Sequence, residues 1–285
     1  MAQDFDIELL RGRLRARRFG NPSASGVPAF CVPGLSSNCR AFEALGERFE
    51  RKGRSLVAFD LRGRGWSDIT APGTYGWENH ALDILEAADA IGAERFDYVG
   101  HSLGAFVGMM AVSIERGKRI RRLVLVDGLG APSQTAVAAI VAFFGQRKAT
   151  FATADDFVAA VRATGLVEPW NDFWEQHYRY DLVLENGAFH PRTSAVAIAE
   201  DIAYASSQDA RTLWPLLTVE TLLLRATIPL GGSDGFVVTR RDYEDFLATV
   251  KFAKGVEIAA NHYGIAFAPE ACEEIERFLG ADGGE

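Results

Sequence analysis

A serine between two glycines is the clearest chemical signal in this sequence. Gly100-His-Ser-Leu-Gly104 follows residues 95–99, an apolar stretch typical of a strand, and precedes residues 105–114, a helix-like stretch studded with small residues. A strand that turns sharply into a helix strains its central residue and crowds the flanking positions, which therefore need glycine. The pattern predicts that Ser102 is a nucleophile whose hydroxyl points outward at the start of a helix. Gly231-Gly-Ser-Asp-Gly235 has the same glycine spacing, but no small-residue helix follows it.

A serine hydroxyl needs a base at neutral pH, and histidine is the usual one. We expect His262 to be this base because it lies between the last predicted strand, residues 255–260, and the last helix. Its loop then emerges at the carboxyl end of the sheet, where Ser102 also lies. The other histidines lie in the turn itself, where the ring should point away, on a helix covering the sheet, or in a helical insert: His101, His80, His177 and His190.

A carboxylate should orient the imidazole, and two positions compete for this role. Asp127 ends the predicted strand 122–126, whereas Asp234 lies in the loop after the predicted strand 219–224. Both lie between Ser102 and His262 in the chain, so chain order does not choose between them.

Acyl transfer also needs two backbone N–H groups that point at the developing oxyanion. The N–H of Leu103, directly after the nucleophile, is one candidate. The N–H of Leu35, in the loop after the predicted strand 28–32, is the other. Ser36 and Asn38 of that loop either contact the substrate or cap the helix that follows.

Strand-like and helix-like stretches alternate from residue 28 onward, which is typical of a mostly parallel sheet covered by helices on both faces. Residues 39–52 and 77–91 carry apolar side chains at helical spacing and should cover the sheet. Four arginines between residues 11 and 17 recur at every second position, as on an antiparallel edge strand with one wet face. The remaining predicted strand of this sheet is 55–61.

Residues 131–215 interrupt this alternation, because they contain helix-like stretches and no convincing strand. We expect them to form a helical cap domain on a core domain of residues 1–130 and 216–285. Some of the many aromatic side chains should pack the cap onto the sheet, and others should line an apolar pocket. The candidates for substrate binding are Trp170, Trp174 and Tyr178 of the cap, and Tyr263 beside the predicted base. The predicted cap helices are 133–146, 153–163, 170–180 and 193–207.

The composition is that of an ordinary globular protein. Of the 285 residues 48% are hydrophobic and 24% are charged, and the net charge of −8 offers no basic field for nucleic acid or an anionic membrane. Three scattered cysteines predict neither a disulfide framework nor a metal site.

No apolar run approaches the roughly 20 residues that span a bilayer, so we expect a cytoplasmic protein. We also expect its partner to be a small-molecule substrate. Exposed aromatic residues of the cap could pair two subunits as a homodimer.

Four motifs together resemble the α/β-hydrolase superfamily: Val32-Pro-Gly-Leu35, Asp60-Leu-Arg-Gly-Arg-Gly-Trp-Ser-Asp68, Gly100-His-Ser-Leu-Gly104 and the late His262. The resemblance covers nearly the whole chain. It implies an α/β fold with a mostly parallel sheet of about eight strands, and a helical cap inserted after strand 6. It also implies a Ser-His-acid triad that needs neither a metal nor an organic cofactor.

Smaller features resemble two subgroups with different triad acids. Gly34-Leu-Ser-Ser-Asn38, Asn261-His-Tyr263 and Ala105 are similar to a subgroup that includes an enamide hydrolase, whose acid follows strand 6. That likeness favours Asp127. Ser233-Asp-Gly-Phe-Val237 matches the strand 7 loop of the meta-cleavage carbon–carbon hydrolases and favours Asp234 instead.

The function expected from these residues is that of a serine hydrolase acting on a small, partly apolar ester, lactone or amide. Ser102 would attack the carbonyl, and His262 would take the proton and return it to the leaving group. A serine at this turn argues against dehalogenase or epoxide hydrolase chemistry, which needs a carboxylate nucleophile. The alternatives are a carbon–carbon bond hydrolase and a ligand-binding protein on the same scaffold.

Overall fold

The computed structural model describes residues 2–22, 26–145 and 150–280. An eight-stranded sheet lies at its centre, and a separate two-stranded hairpin lies outside the sheet. The strands are β1 (Gln3–Leu9), β2 (Gly12–Phe19), β3 (Ala29–Val32), β4 (Leu56–Phe59), β5 (Phe96–His101), β6 (Ile120–Val126), β7 (Leu182–Glu185), β8 (Ala188–Pro191), β9 (Glu220–Ala226) and β10 (Ala253–Ile258).

The sheet has the strand order β1-β2-β4-β3-β5-β6-β9-β10. In this order, each strand from β4 to β10 is parallel to the next one, whereas β2 is antiparallel to both of its neighbours. The predicted α/β-hydrolase fold, with a mostly parallel sheet of about eight strands, is confirmed. Because the parallel strands point the same way, the loops that leave their carboxyl ends meet at one edge.

Helices cover both faces of the sheet, and each face has its own apolar layer. The helices are α1 (Glu43–Arg51), α2 (Trp77–Ala90), α3 (Leu103–Glu115), α4 (Gln134–Gly145), α5 (Ala154–Arg162), α6 (Asp172–Tyr180), α7 (Ala195–Ser207), α8 (Arg240–Thr249) and α9 (Pro269–Leu279). Along β3, Phe30 and Val32 pack toward α2 and α3, whereas Ala29 and Cys31 pack toward α1 and α9. This alternation buries both faces of the strand, as expected for a parallel sheet.

The arginine-rich strand is antiparallel, as predicted, but the prediction that it forms the edge of the sheet is wrong. β2 lies between β1 and β4, and β1 is the edge strand. Carboxylates on β1 pair with the arginines of β2, for example Asp4 with Arg17 at 2.6 Å and Asp6 with Arg15 at 2.8 Å. The alternating arginines therefore face a charged neighbouring strand.

The segment between β6 and β9, called the insert below, contains α4 to α7 as predicted. Its first predicted helix ends at Gln146, which lies outside the described residues. The prediction that the insert has no strand is wrong, because β7 and β8 form an antiparallel hairpin. Asn186 and Gly187 connect these strands with φ values of 50° and 78°, a left-handed turn that both residue types tolerate. The division into core and cap domains at 131–215 stays a prediction.

Within the described ranges, no helix has the length and apolar character needed to cross a membrane. The same ranges contain no group of three or more His, Cys, Asp and Glu side chains placed to hold a metal ion. Cys31, Cys39 and Cys272 are buried free thiols.

Candidate active site

The turn at Ser102 joins β5 to α3 with a strained backbone. Ser102 has φ 54° and ψ −117°, in the left-handed half of φ space. A Cβ on Gly100 would lie 2.2 Å from the carbonyl oxygen of Gly104, and one on Gly104 would lie 2.0 Å from the carbonyl oxygen of Val32. Both glycines are therefore required by close backbone approach, as the sequence predicts.

A continuous chain of hydrogen bonds joins Ser102, His262 and Asp127. Nε2 of His262 lies 3.0 Å from Oγ of Ser102, and Nδ1 of His262 lies 2.8 Å from Oδ2 of Asp127. Because a carboxylate only accepts, Nδ1 carries the ring proton and Nε2 presents its lone pair to the serine hydroxyl. This is the arrangement that a general base needs.

Asp127 is held firmly at the end of β6. Its Oδ1 accepts a hydrogen bond from the N–H of Ala226 at 2.9 Å, and its own N–H donates to the carbonyl of Leu224 at 2.8 Å. Its backbone has a φ of 46°, and its side chain is fully buried against β9. These bonds leave Oδ2 pointing at His262.

The other predicted carboxylate, Asp234, does not contact His262. It lies exposed in a turn after β9, where its carbonyl accepts from the N–H of Phe236. That turn closes through a 2.7 Å hydrogen bond from the N–H of Leu230 to the carbonyl of Gly235, which directs Asp234 to solvent. Of the two alternatives, the structure brings Asp127 to the imidazole.

The two predicted oxyanion donors, Leu35 and Leu103, both lie close to Ser102. Leu103 is the first residue of α3, where an N–H has no intrahelical acceptor and the helix dipole favours negative charge. Leu35 lines the same pocket as Ser102. Gly34, just before it, lies so close that a Cβ there would be 3.2 Å from Cβ of Ser102. Both residues therefore lie beside the hydroxyl of Ser102, and their role as oxyanion donors stays a prediction.

His101 lies in the pocket wall, contrary to the expectation that its ring points away. Its Nε2 lies 2.8 Å from the backbone carbonyl of His262. Burial, helped by the nearby imidazole of His262, lowers the pKa of His101 to about 3. The ring is therefore neutral at neutral pH, and Nε2 must carry the proton because a carbonyl can only accept.

The pocket at Ser102 is small, with a volume of about 80 Å³. Four of the predicted substrate-binding residues line it, namely Ser36, Trp174, Tyr178 and Tyr263. Trp170 does not line it; its ring stacks on Tyr178 at a centroid distance of 6.0 Å.

Asn38 does not line the pocket either; its amide joins the core to the insert. Its Oδ1 accepts from the N–H of Arg40, so it caps the 3₁₀ helix Cys39–Phe42. Its Nδ2 donates to the backbone carbonyl of His177 at 3.0 Å. Of the two roles predicted for this residue, the structure places it in the capping role, with an added contact to α6.

His177 is a pocket residue that the sequence analysis missed. It lies on α6 with Trp174 and Tyr178, and all three line the pocket. Their spacing of three and four residues puts them on one face of a helix, which is the signal that could have grouped them.

A second cavity of about 570 Å³ lies at the seam between the insert and the core. Its walls are largely apolar, and its rim carries the exposed Glu168 and Glu270. Trp174 lines both this cavity and the pocket at Ser102. Trp174 therefore borders both spaces.

The fold and the site define the class of protein. Residues 28–224 match the family model described as alpha/beta hydrolase fold, so the chain belongs to this family. The resemblance inferred from the motifs is therefore confirmed at the level of the family.

Particular relatives are similar over parts of the chain. N-formylmaleamate deformylase of Pseudomonas putida is 29% identical over 168 residues, which are 54% of this chain and 60% of that protein. 2-Hydroxymuconate semialdehyde hydrolase of Pseudomonas putida is 38% identical over 80 residues, 27% of each chain. The chain thus spans between about a quarter and three fifths of these two curated relatives.

A solved structure shares the fold over nearly its full length. E-2-(Acetamidomethylene)succinate hydrolase superposes with a TM-score of 0.86 at 21% identity, covering 98% of this chain and 99% of the other.

Proposed function

We propose that this protein is a serine hydrolase that cleaves a carboxylic ester, lactone or amide with a short, partly apolar acyl group. The observation that carries the proposal is the hydrogen-bond chain from Ser102 through His262 to Asp127, with distances of 3.0 and 2.8 Å, which opens on a small pocket. A small molecule is the substrate, and no step calls for a metal or an organic cofactor.

The first half-reaction forms an acyl-enzyme. Oγ of Ser102 attacks the substrate carbonyl carbon while Nε2 of His262 takes the hydroxyl proton. The amides of Leu35 and Leu103 stabilise the oxyanion, and Asp127 stabilises the imidazolium. Collapse of the tetrahedral intermediate breaks the bond to the leaving group, which receives the proton from His262.

The second half-reaction reverses these roles with water. His262 takes a proton from a water molecule as its oxygen attacks the acyl carbon. The ester bond to Ser102 then breaks, the proton returns to the serine oxygen, and the carboxylic acid leaves.

The size of the pocket supports a short acyl group. Ligand pockets for drug-sized molecules measure roughly 300–1,000 Å³, whereas the pocket at Ser102 measures about 80 Å³. That volume suits a group of a few heavy atoms, such as formyl or acetyl. The similarity to a deformylase over 168 residues supports the same size range.

Carbon–carbon bond hydrolysis is the second candidate. The observation in its favour is the 38% identity over 80 residues to 2-hydroxymuconate semialdehyde hydrolase. A panel of dienoic diketo acids beside short-chain esters and amides separates the two activities. Turnover of the diketo acids with inert esters would replace the first proposal by the second.

Labelling with a fluorophosphonate tests the nucleophile without knowledge of the substrate. We expect the wild type to be labelled and Ser102→Ala to be unlabelled. Ser233→Ala is the matched control, because Ser233 lies in the other run with the same glycine spacing and is exposed. If a fluorophosphonate with only a methyl substituent does not label the folded wild type, the result contradicts the proposal and favours a ligand-binding protein.

A further inference from the structure

Arg64 is a buried cation that contacts three separate parts of the molecule. It lies in the turn after β4 and is fully buried. Its Nε donates to the carbonyl of Leu35 at 2.9 Å, and its Nη1 donates to the carbonyl of Arg62 at 3.0 Å. Its Nη2 pairs with the carboxylate of Asp201. One guanidinium thus joins its own turn, the insert and the loop after β3 that carries Leu35, called the oxyanion loop below.

Asp201, on α7 of the insert, is equally buried and has three kinds of donor. Besides Arg64, its oxygens lie 3.0 and 3.1 Å from Nε2 of His80, and one accepts from the N–H of Gly76 at 2.7 Å. A buried carboxylate is tolerated when it is paired and hydrogen-bonded in this way. The pairing also means that removal of either partner leaves an uncompensated buried charge.

The surface around this pair is shaped to receive α7. A Cβ on Gly63 would lie 2.7 Å from Cβ of Ala197, and one on Gly76 would lie 2.7 Å from the ring of Tyr204. Both glycines belong to the core, and both contacted side chains belong to α7. The helix therefore packs directly on the core backbone beside the Arg64–Asp201 pair.

The contact with Leu35 constrains the direction of its amide. The N–H of Ser37 donates to the carbonyl of Gly34 at 3.1 Å, which orients the peptide plane that contains the Leu35 N–H. The bond from Arg64 orients the next plane, which contains the Leu35 carbonyl. Because peptide units are planar, the two bonds together restrict both backbone torsions of Leu35.

We propose that Arg64 is a positioning residue that holds the Leu35 amide toward the oxyanion, and that Asp201 of the docked α7 holds Arg64 in place. This inference rests on the proposed serine hydrolase function. The insert then supports the loop that carries Leu35 as well as the pocket wall.

The test compares two buried ion pairs whose arginines, Arg62 and Arg64, belong to the same turn. Arg62 pairs with Asp83 on α2, and both side chains are buried, but this guanidinium does not bond to the oxyanion loop. Arg64→Gln and Asp201→Asn are therefore measured against Asp83→Asn. Each variant is labelled with a fluorophosphonate, and the maximal labelling rate is separated from the probe concentration at half-maximal rate. Thermal unfolding and circular dichroism report folding.

We expect Arg64→Gln to lower the maximal labelling rate at least tenfold, and Asp201→Asn at least threefold, with half-saturating concentrations within about twofold of wild type. Arg64→Lys should recover part of the rate because it keeps a cation opposite Asp201. Asp83→Asn should lower thermal stability but keep the maximal rate within twofold.

Three results would overturn the inference. The first is a maximal labelling rate in Arg64→Gln and Asp201→Asn that is no lower than in Asp83→Asn. The second is a change in the half-saturating probe concentration alone, with the maximal rate unchanged. The third applies if Arg64→Gln fails to fold, and it is a maximal rate in Asp201→Asn equal to that of wild type. Unlabelled wild type is a different result, because it overturns the proposed function itself.

Discussion

Nε2 of His101 donates a hydrogen bond to the backbone carbonyl of His262 over 2.8 Å. His101 immediately precedes the strained Ser102, so this bond ties the turn that carries the serine to the loop that carries the imidazole. The ring centroids of the two histidines lie 4.9 Å apart. A charged ring at His101 would repel the imidazolium that forms during catalysis, so the neutral state of His101 suits the site.

The first prediction concerns stability at low pH. Burial and His262 lower the pKa of His101 to about 3 in the folded protein, whereas an unfolded histidine has a pKa of about 6.5. The unfolded state therefore binds more protons between these values, and stability falls as pH falls through this window. His101→Gln removes this contribution, which is up to about 1.4 kcal/mol per pH unit. Urea unfolding of both proteins at pH 7, 6, 5 and 4 measures it.

We expect the free energy of unfolding of the wild type to fall relative to that of His101→Gln as the pH is lowered from 7 to 4. Unchanged slopes of free energy against urea concentration are the control for a two-state comparison. Parallel stability curves for the two proteins would show that His101 does not titrate in this way.

The second prediction separates the two carboxylates. Asp127→Asn removes the charge that stabilises the imidazolium and the acceptor that fixes the tautomer of His262, so kcat should fall about 10²- to 10⁴-fold. Asp234→Asn is the matched control and should change kcat less than twofold, because Asp234 lies exposed in a separate turn. Steady-state rates on a short-chain ester measure both, and a larger loss in Asp234→Asn would reverse the assignment.

The sequence could predict the place of Ser102 and His262 because parallel topology leaves little freedom. Each follows a strand of one parallel sheet, and the carboxyl ends of such strands share an edge. The choice between Asp127 and Asp234 could not be made in the same way. It depends on the turn closed by Leu230 and Gly235, whose direction is set by contacts that no periodic pattern records.

The pocket wall was the least predictable part of the site. The direction of α6 relative to the sheet is set by contacts between residues more than a hundred positions apart. Asn38 bonds to the carbonyl of His177, and Nε1 of Trp66 bonds to the carbonyl of Tyr180 at 2.9 Å. Helical spacing could group Trp174, His177 and Tyr178 on one face, but it could not show that this face meets Ser102.

The third prediction concerns the contact between Asn38 and α6. Asn38→Ala removes a helix cap and the donor to the carbonyl of His177, so we expect a loss of about 1–2 kcal/mol of stability. The wall that carries Trp174 should also become looser, so KM for a short-chain ester should rise at least threefold. Thermal unfolding and steady-state kinetics measure the two effects.

Thr239→Ala is the matched control for Asn38→Ala. Thr239 caps α8, away from the pocket, through a 3.1 Å bond from the N–H of Asp242 to its hydroxyl. It should lower stability by about 1 kcal/mol with KM unchanged. Equal KM values in the two variants would show that the Asn38 contact does not shape the pocket.

The fourth prediction concerns Trp174, which lines both the pocket of about 80 Å³ and the cavity of about 570 Å³. Trp174→Ala should join the two spaces, so that acyl chains too long for the wild-type pocket can enter. Each buried CH₂ contributes about 0.8 kcal/mol. A hexanoyl ester should therefore gain about 10- to 100-fold in kcat/KM relative to an acetyl ester.

Trp170→Ala is the control for this change in chain-length preference. Trp170 stacks on Tyr178 but lines neither space, so its truncation should lower stability and leave the ratio of hexanoyl to acetyl hydrolysis unchanged. Rates for both variants are measured well below their unfolding temperatures, because truncating a buried tryptophan can cost about 3–5 kcal/mol. A ratio in Trp174→Ala equal to that of wild type would mean that the indole does not limit acyl length, and that α6 moves as a unit when the substrate enters.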